Sequence, residues 1–334
     1  MTHPLRILKA NDVAQALDQR EREIMDVVRR AYEVHAQGDS HLPHSVFLRF
    51  PHDKRSRIIA LPAYLGDSFA LAGIKWIGSF PSNHERDIPR ASAVMIFNSV
   101  ETGLPEAIVE ASLISAARTA ASAALGARYL HGDPNPTTVG LIGCGFINHQ
   151  ILRFLCATYS SLTNLVIYDS NQQNAEQFAQ IWRDHRAGMV IKVESQPAAV
   201  LRQAALVSFA TTAIEPHIMD LSVCPPGSTL LHISLRDISP EAILGCDNVV
   251  DDIDHACRAQ TSVHLAAEHA GQRDFIRCTL ADITRGQAAP RRSADGITVF
   301  SPFGLGVLDL AVGHMALEYA IDHGQGVTID DFLP

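Results

Sequence analysis

The sequence predicts an α/β protein, in which a Rossmann-type doubly wound sheet is combined with a discontinuous α+β domain. One observation is a strand-like run, Thr138–Ile142, that ends on Gly143-Cys144-Gly145 and is followed by apolar residues at helical spacing. A second is that strand-like runs mostly alternate with helical segments from residue 138 to residue 300. The third is a series of four strand-like runs between residues 45 and 98, joined by short polar turns.

The glycine turn has the layout of a dinucleotide-binding βαβ unit. Gly143 permits a sharp turn, and Gly145 lets backbone N–H groups at the helix start, around Phe146 and Ile147, approach a pyrophosphate. Asp169 ends the next apolar run, 24 positions after Gly145, where a carboxylate accepts ribose hydroxyls and repels a 2′-phosphate. The motif therefore predicts NAD, in preference to NADP, as the cofactor.

Asn148 makes this motif incomplete. It occupies the position of a third glycine, which normally allows close packing of helix and strand. On the glycines alone, an ordinary strand–turn–helix without a ligand is an equally good interpretation. The strand before the turn and the acid after the second strand favour the dinucleotide site.

Composition limits the classes of partner. A chain of 334 residues exceeds the size at which one core usually keeps growing, which predicts two domains. The net charge of −9 argues against nucleic acid. The N-terminus lacks a long apolar segment and no run of about 18 apolar residues occurs, so we expect a cytoplasmic protein that does not enter a membrane. Six widely spaced cysteines without a CxxC pair predict reduced thiols and no metal site.

The N-terminal part predicts a small α+β domain. Asn11 and Asp12 are expected to cap a short first helix, and apolar residues at helical spacing predict a second helix over 22–37. Four strand-like runs follow and are expected to form a mostly antiparallel sheet: Ser45–Phe50, Arg57–Pro62, Ala70–Ile77 and Ser92–Asn98.

A long Ala/Ser-rich segment is expected to connect this domain to the next. Pro105 suits the first position of a helix that runs to about Leu130. Strand-like runs then recur at 138–142, 164–168, 189–193, 206–210, 228–233, 248–251 and 297–300. A last helix, Val307–His323, is long enough to return to the first domain. The predicted domains are therefore 118–306, and 1–117 together with 307–334.

Five stretches of the sequence are typical of one protein family. They are Gly73-Ile-Lys75, Glu101-Thr-Gly103-Leu-Pro105, the run from Ala117 to Ser122, Gly143-Cys-Gly145, and Ser301 to Asp309. On these stretches the chain resembles the ornithine cyclodeaminase/μ-crystallin family over nearly its full length. Within the family, residues 74–98 and 110–121 look most like an enzyme of siderophore precursor supply. That resemblance implies NAD-dependent oxidative cleavage of N-(2-amino-2-carboxyethyl)-L-glutamate to 2-oxoglutarate and L-2,3-diaminopropionate.

The resemblance also implies which residues form the site. The family's catalytic lysine and aspartate fall on Lys75 and Asp237. The implied substrate-binding residues are Lys75, Arg118, Ser92 and either Arg49 or Arg57, whose alignment stays open. The implied cofactor contacts outside the glycine turn are Arg118, Thr119, Thr211, Thr212, Ser234 and Gly304. A homodimer is implied as well, with the first domain serving both substrate binding and dimerisation, and unpaired strand edges in that domain favour the same prediction.

One departure from the family separates possible activities. Cyclodeaminases carry a glutamate in an I-E-L-M-P motif, whereas this chain reads Ile58-Ile59-Ala60-Leu61-Pro62, which argues against ring closure of ornithine to proline. A cyclodeaminase-like or imine-reducing enzyme remains one alternative. Another is a protein that, like μ-crystallin, holds a dinucleotide and a small ligand without turnover.

The candidate residues also have structural explanations. Lys75 lies in an apolar run, where a buried ammonium is costly unless it is used, but strand alternation also permits it to point to solvent. Asp237 follows a strand, as catalytic groups often do, and suits equally an N-cap for the segment from Ser239. Arg118 in a small-residue helix predicts an anionic ligand, with a surface salt bridge as the alternative.

Overall fold

The computed structural model describes residues 4–333, and the chain divides into two units. The first comprises residues up to Arg118 and from Gly304 onward, and the second is Thr119–Phe303. The strands are β1 Leu5–Leu8, β2 Ser40–His41, β3 Val46–Phe50, β4 Asp53–Leu65, β5 Leu71–Ser79, β6 Ala91–Asn98, β7 Pro105–Glu110, β8 Thr138–Ile142, β9 Asn164–Tyr168, β10 Val190–Val193, β11 Leu206–Phe209, β12 Thr229–His232, β13 Asp247–Val250, β14 Ile276–Thr279, β15 Thr298–Ser301 and β16 Val327–Ile329. The helices are α1 Ala10–Leu17, α2 Glu21–Ala36, α3 Ser112–Leu130, α4 Phe146–Thr158, α5 Gln172–His185, α6 Pro197–Gln203, α7 Pro240–Leu244, α8 Ile253–Ala256, α9 Ser262–Ala270, α10 Leu280–Thr284 and α11 Gly306–Asp322, with a 3₁₀ turn over Pro81–Arg86.

The first unit is built on a mostly antiparallel sheet. Its strand order is β16-β1-β7-β6-β5-β4-β2, with β3 paired to β4. The four strand-like runs predicted between residues 45 and 98 are confirmed as β3 to β6. The short strands β1 and β16 were not predicted, and they pair antiparallel with each other in this sheet.

The core of the first unit lies between this sheet and α11. Alternate residues of the strands, among them Lys75, Met95 and Phe97, form what we call the inner face of the sheet. Gly313 lets α11 approach closely, since a Cβ at this glycine would lie 2.9 Å from the sulfur of Met95 and 3.0 Å from Phe97. The helix is buried on almost all sides, because α1 and α2 pack on it as well.

The second unit is a doubly wound parallel sheet. Its strand order is β10-β9-β8-β11-β12-β15-β13-β14, and every neighbouring pair is parallel. The Rossmann-type fold predicted from the glycine turn and the alternating pattern is therefore confirmed. The strand β14 was not predicted, because its four residues, Ile-Arg-Cys-Thr, are too short and polar to stand out.

Two predictions about helix starts are wrong. Pro105 does not begin a helix, because Pro105–Glu110 forms β7 between β1 and β6, and pairing on both sides overrides the local helix signals. The helix α3 starts at Ser112, where the Glu110 carboxylate accepts the Ser112 N–H at 2.7 Å. At the first helix, Asp12 lies inside the first turn and accepts the Lys9 N–H at 2.9 Å, so the helix begins one position before Asn11.

Over residues 4–333 we find no helix that combines the length and the hydropathy needed to cross a membrane. All six cysteines are free thiols, and four of them are buried.

Candidate active site

Lys75 lies in the middle of β5 on the inner face and is only 3% exposed. Its Nζ donates to Oδ2 of Asp309 at 2.7 Å and to Oγ of Ser115 at 3.1 Å. Leu61 and Met95 flank it in the neighbouring strands. The alternative of a solvent-facing lysine is therefore wrong, because strand alternation places Lys75 towards the core.

Asp309, near the start of α11, is the residue that the sequence reasoning missed. It is fully buried and bridges two cations, with Oδ2 on Lys75 and Oδ1 accepting from Nε of Arg118 at 3.0 Å. Arg118 is thus neither unpaired nor part of a surface salt bridge. An acid inside the otherwise apolar stretch 305–313 was the available signal, because aspartate is almost never fully buried without a partner.

Burial controls the charge of this cluster. Loss of hydration lowers the pKa of Lys75 to about 8; Asp309 opposes this shift, and the nearby Arg118 adds to it. One carboxylate between two cations leaves a net charge of about +1 when Lys75 is protonated. The cluster can therefore bind one carboxylate and can also exchange a proton near neutral pH.

Gly304 shapes the surroundings of the Arg118 guanidinium. Its φ is +91°, a conformation that favours glycine, and a Cβ there would lie 2.5 Å from Nη1 of Arg118. The glycine thus permits the guanidinium to lie against the backbone.

A second cationic group lies further along the inner face. Arg49 and Arg57 are directly opposite each other on β3 and β4, and Arg57 pairs with Ser79 of β5. Four positions separate Ser79 from Lys75, which is about 13 Å along the strand. Burial and the charge of Arg49 lower the pKa of Arg57, and the pKa of Arg90 is lowered by burial and by Arg57.

The Nε of Arg57 lacks a hydrogen-bond acceptor among the described residues, although it is shielded from solvent. Like charges in directly opposite strand positions destabilise a sheet, and a shielded N–H without an acceptor adds to that cost. A bound anion would relieve both, so the pair has the features of a carboxylate site.

In the second unit, the glycine turn leaves open space in front of α4. Gly143 has φ +89°, and a Cβ there would lie 2.5 Å from the carbonyl oxygen of Ala210. At Gly145, which caps α4, a Cβ would meet no atom within 4 Å. A phosphate can therefore reach the helix start, where unpaired N–H groups and the helix dipole favour an anion.

Asp169 is held beside this turn at the end of β9. Its Oδ2 accepts the Cys144 N–H at 2.7 Å and its Oδ1 accepts the Asn171 N–H at 2.8 Å. Each carboxylate oxygen has a second lone pair, so ribose hydroxyls can still donate to it. The turn, the helix start and this carboxylate together fit a dinucleotide.

Asn148 is fully buried and hydrogen-bonded on both ends of its amide. Its Nδ2 donates to the carbonyls of Ile142 and Gly143 at 3.1 and 2.6 Å, and its Oδ1 accepts from Ser208 Oγ at 2.8 Å. In the sequence this position differs from the motif only by a missing glycine. The side chain in fact ties the glycine turn to the neighbouring strand β11.

Asp237, five positions after the end of β12, is fully buried in a polar pocket. The hydroxyls of Thr211 and Ser234 donate to its two carboxylate oxygens, and His232 Nε2 lies 3.3 Å from Oδ2. Burial alone would raise the pKa of Asp237, but His232 and the two hydroxyls outweigh it, so that the pKa lies below the usual value. The N-cap alternative is wrong, because Ser239 itself caps α7 by accepting the Ala242 N–H.

Comparison with known proteins identifies the family. A model of the ornithine cyclodeaminase/mu-crystallin family matches residues 6–324. The chain belongs to this family. It is 27% identical to the N-((2S)-2-amino-2-carboxyethyl)-L-glutamate dehydrogenase of Staphylococcus aureus, with 99% of both chains covered. It is also 27% identical to an alanine dehydrogenase of Archaeoglobus fulgidus, over 93% of this chain and 94% of that protein.

A solved structure with a similar fold supports the architecture described above. An archaeal alanine dehydrogenase dimer with bound NAD superposes with a TM-score of 0.87 at 25% identity, covering 98% of this chain and 99% of that one.

Two further positions singled out by the family resemblance, Ser92 and Ile59, do not add polar groups to the Lys75 cluster. Ser92 extends from the outer face of the sheet, opposite to Lys75, because it pairs with Gly78 and not with the Lys75 row. The structure therefore does not bring it to the Lys75 cluster. Ile59, in the stretch where cyclodeaminases carry their glutamate, lies opposite Ile77 on the inner face, so this part of the face is apolar.

The other implied cofactor contacts lie in the second unit. Thr119 belongs to α3, Thr212 is exposed after β11, and Phe146 at the start of α4 is 53% exposed. Thr211 and Ser234 are engaged with Asp237, as described above. Within the described part of the chain, no group of three or more His, Cys, Asp or Glu residues has the arrangement of a metal site.

Proposed function

We propose that this protein is an NAD-dependent dehydrogenase that cleaves N-(2-amino-2-carboxyethyl)-L-glutamate oxidatively to 2-oxoglutarate and L-2,3-diaminopropionate, and so supplies a siderophore or a related natural product. The observation that carries the proposal is the presence of two separate cationic groups along the inner face of the first sheet. One is Lys75 together with Arg118 of α3, which share Asp309, and the other is the Arg49–Arg57 pair. The similarity to the Staphylococcus aureus dehydrogenase supports the same substrate.

The spacing of the two groups favours a long substrate with several carboxylates. About 13 Å of strand separates them, and the apolar Ile59 and Ile77 lie between. An extended glutamate adduct carries carboxylates at both ends and can engage both groups. Alanine has one carboxylate and engages only the Lys75 group, so the arginine pair separates this proposal from an alanine dehydrogenase.

The glycine turn, the start of α4 and Asp169 would hold NAD, which accepts a hydride from the substrate Cα when bound. Lys75, with its pKa near 8, takes a proton from the substrate ammonium, so that the nitrogen lone pair is available as the C–H bond breaks. Loss of the hydride leaves an iminium, and Asp237, which stays anionic, stabilises the positive charge on the substrate nitrogen. Asp237 also orients a water that adds to the iminium carbon. The C–N bond then breaks, a proton from the water passes to the departing amine, and 2-oxoglutarate and L-2,3-diaminopropionate are released.

The test is incubation of the purified protein with NAD and the glutamate adduct, followed by NADH absorbance and product mass. We expect 2-oxoglutarate and 2,3-diaminopropionate in equal amounts, little turnover of alanine and no proline from ornithine. Efficient conversion of ornithine to proline without adduct cleavage would favour the cyclodeaminase alternative. Inertness towards every amino acid tested, with NAD still bound, would favour a binding protein.

A variant of Arg57 tests the substrate assignment directly. Arg57→Met should raise KM for the adduct about tenfold or more, because a charge-assisted bond to a carboxylate is lost. The matched control is Arg29→Met, which removes an arginine paired with Glu33 on α2 and should leave KM unchanged.

We also propose that the protein is a homodimer that works in the cytoplasm, where its free thiols stay reduced. The outer face of the first sheet carries exposed Val46, Leu48, Tyr64 and Trp76, and Val46, Ala60 and Trp76 lie in one cross-strand row. A second copy covering this apolar face would bury it. Light scattering should give a species of twice 36.3 kDa, and Trp76→Lys should shift it towards the monomer.

A further inference from the structure

We propose that Asn148 is a positioning residue that fixes the Gly143–Cys144 peptide and, through it, the Asp169 carboxylate, so that the site discriminates NAD from NADP. This inference rests on the proposed use of NAD.

The Gly143–Cys144 peptide joins the two side chains. Its carbonyl oxygen accepts from Asn148 Nδ2 at 2.6 Å, and its N–H donates to Asp169 Oδ2 at 2.7 Å. In a trans peptide the C=O and N–H point in opposite directions, so fixing one fixes the other. Asn148 therefore sets the direction of the N–H that holds Asp169.

Asn148 is itself held in one orientation. Two carbonyl acceptors, those of Ile142 and Gly143, require its NH₂ group on their side, and its oxygen then accepts from the buried hydroxyl of Ser208. The result is a continuous line of hydrogen bonds from Ser208 on β11 to Asp169 at the end of β9. Bonds in such a line polarise one another, which strengthens the last member.

A purely structural role would have a different signature. If Asn148 only satisfies buried carbonyls, its loss should destabilise the protein without changing the preference between the two dinucleotides. If it positions Asp169, its loss should weaken the ribose contact that NAD makes and leave NADP, which Asp169 repels, little affected.

The test measures the dissociation constants of NADH and NADPH by fluorescence titration. For Asn148→Ala we expect NADH to bind about tenfold more weakly, with a similar fall in the ratio that favours NADH over NADPH. Ser208→Ala removes only the first bond of the line and should give a smaller shift in the same direction. If Asn148→Ala fails to fold, Ser208→Ala carries the test.

The matched control is Asn248→Ala. Asn248 is also buried in the second unit, and its Nδ2 also donates to two backbone carbonyls, those of Ile243 and Cys246, at 2.7 and 3.0 Å. It lies on β13, four strands from β8 in the sheet. This variant should lower thermal stability and leave the ratio of dissociation constants as in wild type.

A second readout needs no dinucleotide. Amide hydrogen exchange at Cys144 in the free protein should become faster in Asn148→Ala and not in Asn248→Ala. Unchanged exchange at Cys144 together with an unchanged dinucleotide ratio would overturn the inference. A wild type that binds neither dinucleotide would overturn the proposed function instead, and faster exchange at Cys144 would still support the link between Asn148 and that peptide.

Discussion

Each unit buries one ionisable group that the family resemblance marks as catalytic, and the two are stabilised in opposite ways. Lys75 in the first unit is surrounded by full charges, with Asp309 in contact and Arg118 on the other side of that carboxylate. Asp237 in the second unit is surrounded by the hydroxyls of Thr211 and Ser234 and by His232.

The difference between the two surroundings indicates which of Lys75 and Asp237 can exchange a proton near neutral pH. Burial dominates at Lys75, so its pKa falls to about 8 and its charge changes near neutral pH. Hydrogen bonds outweigh burial at Asp237, so its pKa falls as well, which for an acid keeps the charged form across the physiological range. Lys75 is therefore suited to accept and return a proton, and Asp237 is suited to stabilise positive charge.

The largest effect is expected for Asp309→Asn. Buried Lys75 and partly buried Arg118 would lose their common counter-charge, which should reduce the free energy of unfolding by about 3–5 kcal/mol and the rate by about 10²–10⁴. Asp237→Asn should cost a similar factor in rate but less stability, because its neighbours are mostly neutral. Urea unfolding and steady-state kinetics of both variants measure this, and equal stability losses would contradict the comparison.

The next effect is on the pH dependence of turnover. At saturating substrate and NAD, kcat should rise with pH through about 8, as Lys75 loses its proton. Lys75→Arg, which stays protonated, should be nearly inactive and lack this rise. Asp237→Asn should turn over slowly, and its kcat should still rise with pH through about 8. A rise at the same pH in Lys75→Arg would show that another group titrates.

Two glycines allow a paired test of the two units. Gly304→Ala should raise KM for the substrate about tenfold, since its Cβ would displace the Arg118 guanidinium and its φ is positive. Gly145→Ala meets open space in the protein, so it should leave the melting temperature nearly unchanged and weaken NADH binding. A Gly304→Ala protein with normal substrate KM would remove Arg118 from substrate binding.

The last effect, which is small for each pH unit, is on stability at alkaline pH. Between about pH 8 and 10.5 the unfolded chain binds a proton at Lys75 that the folded chain has lost, so this residue makes the free energy of unfolding rise with pH. The contribution of Lys75 is the difference between wild type and Lys75→Met in the slope of the free energy of unfolding against pH. This difference is at most about 1.4 kcal/mol per pH unit. Asp237 has the corresponding effect at acidic pH. Because its pKa is lowered in the folded protein, the stability that its charged form contributes is lost as the pH falls below about 4.

Periodic and motif-based features could be predicted from the sequence. The glycine turn, the alternation after residue 138 and the strands between residues 45 and 98 all depend on local patterns, and the structure confirms them. Pro105 shows the limit, because its neighbours carry helix signals while pairing with distant β1 decides for a strand. Rules based on neighbouring residues cannot predict a pairing between β7 and β1, which lie about 100 positions apart in the chain.

Single residues of the candidate site could be predicted from the sequence, but the hydrogen bonds and ion pairs that join them could not. Lys75 stands out in the sequence, but its partner Asp309 is 234 positions away. Asn148 looked like a defect of the motif, because the hydroxyl of Ser208 that completes its hydrogen bonding comes from another strand. Ser92 was placed by resemblance alone, and a single step in strand alternation puts it on the other face.

The order of the chain has a consequence for synthesis. Thr119–Phe303 is one uninterrupted stretch, whereas the first unit needs α11, which leaves the ribosome after it. Until then Lys75 and Arg118 lack their counter-charge, and Met95 and Phe97 lack the helix that covers them. The nascent first unit therefore keeps an apolar surface exposed until α11 has been synthesised, and during this interval a chaperone that recognises apolar segments can bind it.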